Sequence, residues 1–226
     1  MELEARDVTF YYPGKKKHPV LDHVNLTIAP GERVGLKGKS GRGKTTLCRL
    51  LAGYEAPKGG QILLDGKEVR AYRGVCPVQM IWQHPETAVD PRLRMKETLA
   101  ETGIRLSGTI TSDPEENDEE TLRDRELLDR LGIREEWLDR FPSELSGGEL
   151  QRFCLARALR PGVRFFLCDE ITAMLDLVTR ARIWNCLMEE AKKRGLGLLV
   201  VSHDDSLLEQ VCTRVVDLPF PSWRIY

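Results

Sequence analysis

The sequence predicts an α/β fold: a mainly parallel sheet with helices packed on it, an N-terminal antiparallel β part and an inserted helical part. Three observations carry that expectation. Phe165-Phe-Leu-Cys168 and Leu198-Leu-Val-Val201 are short, continuous apolar runs, the character of strands covered on both faces. Stretches with helical spacing lie at Lys44–Leu51, about 177–193 and about 205–212, the last two flanking the second run. The first third of the chain, by contrast, reads as short strands closed by turn residues.

In order, Val8–Tyr12 is a strand ending at Pro13-Gly14, and Val24–Ile28 alternates up to Pro30-Gly31. Arg33–Lys37 is a third strand, running into a Gly-rich loop. Lys44–Leu51 follows as a helix with Leu47, Leu50 and Leu51 on one side, stopped near Gly53. A strand pair around Gln61–Leu64 and Val69 is joined by Asp65-Gly66, a favoured hairpin dipeptide. Residues 84–158 carry Pro and Gly breaks and read as mostly helical. Within them, Ser112–Glu120 holds six carboxylates, expected as a solvated loop that opens a helix at Asp113-Pro114. Strand–helix alternation returns from Val163 and closes with the strand Arg214–Asp217. The expected organisation is one domain over 1–226, with a core of 1–83 and 159–226 and a helical part of 84–158.

Composition narrows the function. The chain has 226 residues, 34 Lys+Arg against 35 Asp+Glu and a formal net charge of -1, which argues against bulk binding to nucleic acid or anionic membrane. No apolar run approaches the ~20 residues needed to span a bilayer. Met1–Ala5 lacks the pattern of a signal peptide, so neither secretion nor self-insertion is expected. None of the six cysteines forms a Cys-x-x-Cys pair; Cys154 and Cys168 lie in apolar runs and read as small core residues in a reducing compartment.

Three motifs carry chemistry. Gly38-Lys-Ser-Gly-Arg-Gly-Lys44-Thr45 matches Gly-x4-Gly-Lys-Ser/Thr and follows a strand into a helix, the context of a phosphate-binding loop. Its glycines, Gly38, Gly41 and Gly43, let successive N–H groups face a phosphate, and the helix dipole adds to that field. Lys44 would reach the β- and γ-phosphates and Thr45 would ligate Mg²⁺; Lys39, Ser40, Arg42 and Thr46 complete the loop. Phe165–Cys168 ends in Asp169-Glu170. Asp169 could hold the Mg²⁺ shell and Glu170 polarise an attacking water, although an acidic pair after a strand is by itself an ordinary solvated strand end. Leu145-Ser-Gly-Gly-Glu149-Leu-Gln-Arg combines a Ser146/Glu149 capping box with Gly147 and Gly148 at a helix start. As a bland motif it is a well-capped helix; as a second phosphate-binding surface it implies a symmetric dimer.

Together these resemble the nucleotide-binding domain of an ATP-binding cassette ATPase, a P-loop NTPase, over essentially the whole chain. The resemblance implies ATP and Mg²⁺ as cofactors. Ser146–Glu149 would meet the partner's ATP. Tyr12, with Tyr11 as fallback, would stack on adenine. Gln83 would touch Mg²⁺ and water and link to the membrane partner. Asp176, in Ala173-Met-Leu-Asp176, would lie at the dimer contact and His203 would meet the γ-phosphate, its protonated form favoured by Asp204 and Asp205. Partners would be transmembrane permease subunits and a second cassette, identical or different, at the cytoplasmic face of the membrane, with no nucleic acid and no direct cargo contact.

The pattern departs from the family at Glu149, in place of Gln, at Ala173-Met174, in place of Ser-Ala, and at Arg42. Glu149 would bring a carboxylate near the partner's triphosphate. The end at Tyr226 leaves no room for the C-terminal extension of many importer ATPases. Gln79–Arg92 and Leu150–Arg157 resemble peptide- and nickel-importer ATPases, which makes such an importer the expected system. The alternatives are a soluble cassette acting on DNA, ribosomes or protein assembly, or a plain P-loop kinase or GTPase, which Leu145–Gly148 does not fit.

Overall fold

A computed structural model describes residues 2–14, 18–104, 119–173 and 175–218. They fall into two compact units, 1–80 with 162–170 and 188–226, and 81–161 with 171–187. This division groups 171–187 with the helical part, whereas the sequence reading kept them with the core. Most of the acidic run 112–120 and Met174 lie outside the described residues.

The first unit contains two sheets. In the antiparallel one, β1 (Leu3–Phe10) lies between β2 (Leu21–Ile28) and β4 (Gly59–Leu64), with the two-residue β5 (Lys67–Glu68) beyond. Alternation puts Leu3, Ala5, Val8 and Phe10 of β1 inside. The alternation breaks at Asp7, which has φ 53 at a register shift against both neighbours. There Gly60, at φ 74, passes so close to the Arg6 and Asp7 carbonyls that a Cβ would collide with them. Asp65 and Gly66, with φ 53 and 74, form the tight turn their dipeptide predicts. Two expectations need correction. The first strand covers 3–10 rather than 8–12, its early half hidden by the bulge. Val69 starts a 3-10 turn (Val69–Ala71) instead of extending the hairpin.

The second sheet is parallel where its registers are defined: β3 (Arg33–Lys37) lies between β8 (Gly197–Val201) and β9 (Arg214–Asp217), and β7 (Phe165–Asp169) pairs with the far side of β8. The short β6 (Val78–Ile81) forms the edge beyond β7 and ends at the boundary between the units. Every residue of β7 and β8 is buried, as their continuous apolar runs predict. Helix α1 (Lys44–Leu51) buries Leu47, Cys48, Leu50 and Leu51. The register pairs Asp169 with Val201 and Val201 with Leu36, so the loops after β3, β7 and β8 leave one edge together. In open α/β sheets that carboxyl edge is where ligands bind.

In the second unit, α2 (Met95–Ala100), α3 (Glu119–Leu131) and α4 (Gly147–Ala158) bury Met95, Leu99, Leu128, Leu131, Leu150, Phe153 and Leu155. Trp137 is buried, with the guanidinium groups of Arg134 and Arg152 5.4 and 5.5 Å from its ring centre. Helix α5 (Leu177–Arg194) begins here and continues into the first unit; α6 (Asp205–Val211) belongs to the first. No described helix is long and apolar enough to cross a membrane.

Candidate active site

The Gly38–Thr45 loop joins β3 to α1 as its motif requires. Gly43 is the helix N-cap at φ 96, with no side-chain cap, and a Cβ there would sit 2.8 Å from Val20 Cγ1. Only glycine fits, and the first amides of α1 keep their donors for an outside acceptor. Gly41, at the tip of the loop, is glycine for a different reason. A Cβ there would meet nothing within 4 Å, but its φ of 77 is left-handed, so the turn of the backbone and not crowding sets the residue type. Lys44 Nζ donates to the Gly38 carbonyl at 2.6 Å and the Lys39 carbonyl at 3.2 Å. Burial pulls the Lys44 pKa down, while Glu170 and Asp169 hold it up. A buried ammonium resting on loop carbonyls and facing two carboxylates fits an incoming polyphosphate, which offers it better acceptors. Arg42 turns away and donates to the Leu218 carbonyl at 3.2 Å.

Asp169 is buried at the end of β7. Burial raises its carboxyl pKa, Glu170 raises it further, and a hydrogen bond from the Thr45 hydroxyl only partly offsets this. The exposed Thr45 hydroxyl and the buried Asp169 carboxylate form a hard-oxygen donor set that opens outward, the kind that holds Mg²⁺ together with substrate phosphates.

Glu170 adopts φ 51, a left-handed conformation rare outside glycine, while its N–H still bonds the Val201 carbonyl at 3.1 Å. Such strain, of order 1–3 kcal/mol, concentrates at functional positions. Its Oε1 lies 3.0 Å from His203 Nε2. The sequence reading gave His203 the acids Asp204 and Asp205, and the structure redirects both. Asp204 caps α6 through the Leu207 amide at 3.1 Å, and Asp205 pairs with Lys37 at 2.8 Å. The Lys37–Asp205 pair joins the end of β3 to the start of α6. Nothing in the sequence marked it, because its members are joined only by the fold.

Tyr12 lies just past β1, its ring edge-on to Phe10 at 5.1 Å and its hydroxyl 3.2 Å from Thr46 Oγ1. It therefore stands against the phosphate-loop helix; Tyr11 is likewise half-buried. Lys39 and Ser40 lie in the same loop.

The remaining candidates lie in the second unit. Ser146 caps α4, accepting from the Glu149 amide at 3.3 Å, and its own amide donates to Glu149 Oε2 at 2.8 Å. Burial raises the Glu149 pKa, but the bonds to Ser146 outweigh it and hold the group below the usual range. The carboxylate that departs from the family pattern thus serves its own helix start. Gly147 has open space at its Cβ position and Gly148 faces Leu175. Asp176 caps α5 through the amides of Val178 and Thr179 at 3.0 and 2.9 Å. Beside it Leu177 and Val178 are 79% and 80% exposed, an apolar pair that the sequence reading passed over as part of a helix. Gln83 lies half-buried in a bend between β6 and the 3-10 turn Pro85–Thr87.

A family model described as ABC transporter matches residues 21–173. The chain belongs to the ABC transporter family. Its cassette is 37% identical over 226 residues to the nickel import ATP-binding protein NikE of Escherichia coli O157:H7, covering 95% of this chain and 82% of that protein. It is 38% identical over 207 residues to NikE of Rhodospirillum rubrum, covering 88% and 72%. The dipeptide transport ATP-binding protein DppF of Lactococcus lactis subsp. cremoris is 34% identical over 223 residues, covering 95% and 70%. Among solved structures, a dimeric post-hydrolysis state of the ATP-binding cassette MJ0796 bound to ADP and Pi superposes with TM-score 0.78 at 26% identity, covering 96% and 94%. The cassette is an ATP-binding ATPase of a transporter, with the α/β architecture of P-loop NTPases.

Proposed function

We propose that this cassette is the ATP-hydrolysing subunit of an importer of nickel or peptides, working as a closed pair of cassettes under membrane permease subunits at the cytoplasmic face. The observation that carries the hydrolytic part is the 3.0 Å contact between Glu170 and His203 in the unit that holds the phosphate loop. The importer part is supported by the NikE and DppF relatives and by the segment Gln79–Arg92.

In this reading the α1 amides and the loop formed by Gly38, Gly41 and Gly43 receive the phosphates, and Lys44 exchanges the Gly38 and Lys39 carbonyls for β- and γ-oxygens. Tyr12 carries the adenine face. Thr45 and Asp169 would hold Mg²⁺, which would supply charge neutralisation at the phosphates, and the family resemblance gives Gln83 a role at that ion. Glu170 orients and deprotonates the attacking water. The new bond forms from water oxygen to the γ-phosphorus, the bond to ADP breaks, and the proton passes to the Glu170 carboxylate. His203, bonded to that carboxylate, fixes its direction and contacts the γ-phosphate. Ser146–Gly148 addresses the nucleotide of the partner cassette, and Asp176 with exposed Leu177 and Val178 forms the seam between the two.

The test is to purify tagged Glu170→Gln protein from native membranes in mild detergent with MgATP and identify what accompanies it. Multi-span permeases and a sister cassette, with loss of nickel or peptide uptake in the variant strain, are the expected outcome. Soluble partners alone would overturn the importer reading and leave the ATPase.

A further inference from the structure

Three side chains of α4 donate in sequence to three backbone carbonyls: Gln151 Nε2 to Trp82 at 3.3 Å, Cys154 Sγ to Pro85 at 3.7 Å, and Arg157 Nη1 to Ala88 at 2.6 Å. Donors at i, i+3 and i+6 share one side of a helix. The acceptors advance in the same steps of three because Pro85–Thr87 is a 3-10 turn, in which positions i and i+3 eclipse. That turn is closed by its own bonds, from Thr87 N to the His84 carbonyl at 3.1 Å and from Ala88 N to the Pro85 carbonyl at 3.0 Å. Residues 82–88 therefore run alongside α4 in step with it, three residues against three. Gln151 and Cys154 are buried. Burial pushes the Cys154 thiol up to about 12, so it keeps its proton to donate. Apolar packing alone would let the two segments slide; sliding by one residue here would break all three bonds at once.

The helix that carries the ladder starts at the Ser146/Glu149 capping box, and the ladder starts one residue before Gln83. We infer that Gln151, Cys154 and Arg157 make α4 and residues 82–88 one rigid piece, so that a displacement at Ser146–Glu149 is delivered to the Gln83 loop and the turn behind it. Gln151 and Arg157 are on this account positioning residues, touching neither nucleotide nor metal. The inference rests on the proposed reading that Ser146–Gly148 meets the partner's nucleotide and that the Gln83 region faces the permease.

Two arms test it. In the isolated protein, Gln151→Leu and, independently, Arg157→Gln should raise amide exchange at Thr87 and Ala88 by about 5- to 10-fold, the loss of one hydrogen bond, with exchange at Phe153 and Leu155 within α4 unchanged. In the assembled transporter the same variants should lower permease-stimulated kcat about tenfold, with KM for ATP and nucleotide affinity unchanged, and Arg157→Lys should restore part of the loss by keeping a donor. Unchanged exchange at Thr87 and Ala88, exchange rising equally along α4, or stimulated kcat equal to wild type overturns the inference. A wild-type protein that no permease stimulates counts against the importer reading instead, and the exchange arm still decides the ladder.

Discussion

His203 Nε2 and Glu170 Oε1 are 3.0 Å apart although one residue lies just past β8 and the other directly follows β7. Adjacent parallel strands put the two turns side by side, and the left-handed backbone of Glu170 swings its side chain toward the histidine. A carboxylate that is to take a proton from water gains from a partner that fixes its direction. His203→Ala is therefore expected to lower ATP turnover by about 10²–10⁴-fold while nucleotide binding stays intact. Unchanged hydrolysis in that variant would remove the role.

The strain at Glu170 separates activity from stability. Glu170→Gln keeps the left-handed conformation and Glu170→Gly relieves it. Both should be inactive, but thermal melts should show the glycine variant at least as stable as the glutamine one, because a non-glycine residue there costs about 1–2 kcal/mol. A glycine variant clearly less stable than the glutamine one would show that the backbone at 170 is not strained.

Gly43 has neither room nor φ for a side chain. Gly43→Ala should cost about 1–3 kcal/mol in denaturant melts and weaken ATP binding at least tenfold in a titration, since the loop must open around Val20. Normal affinity would mean that the loop does not hold the phosphates in this conformation.

Asp169 has a raised pKa in the fold. Its protonation therefore favours folding at low pH, and that contribution is lost as pH rises through the folded pKa; at neutral pH the buried charge is a cost to the empty site. Asp169→Asn should raise the melting temperature of the nucleotide-free protein by about 2–4 °C near neutrality, the shift expected for ~1 kcal/mol in a chain this size. The gain should shrink on acidification, and Mg²⁺-dependent hydrolysis should be lost. A variant that melts lower at neutral pH would contradict the sign.

Ser146 should matter twice. Ser146→Ala removes the α4 cap and should cost about 1 kcal/mol in the melt of a single cassette. In a mixed dimer it should also slow hydrolysis of the nucleotide held by the other subunit. A stability loss without an effect in trans would leave Ser146 as a cap alone.

Much of this was legible before folding because it is local. The apolar runs of β7 and β8 announce burial on both faces, the Gly38–Thr45 spacing announces a loop between strand and helix, and Ser146-x-x-Glu149 announces a cap. Local patterns also misled where a neighbour intervened. The bulge opposite Gly60 concealed the first half of β1, and Val69 left the hairpin for a 3-10 turn. Asp204 and Asp205, adjacent to His203 in the chain, are drawn off by the α6 amides and by Lys37.

By itself the sequence determined the buried strands β7 and β8, the loop and helix at Gly38–Leu51, the cap at Ser146 and which family the motifs resemble, since these depend on residue type within a few positions. The tertiary structure alone decided that Glu170 meets His203, that Thr45 bonds the buried Asp169, and that Gln151, Cys154 and Arg157 fall in step with Trp82, Pro85 and Ala88. Each of those contacts is set by strand register or helix phase, to within a few ångströms across many intervening residues. A one-residue slip would abolish it while leaving every local propensity unchanged.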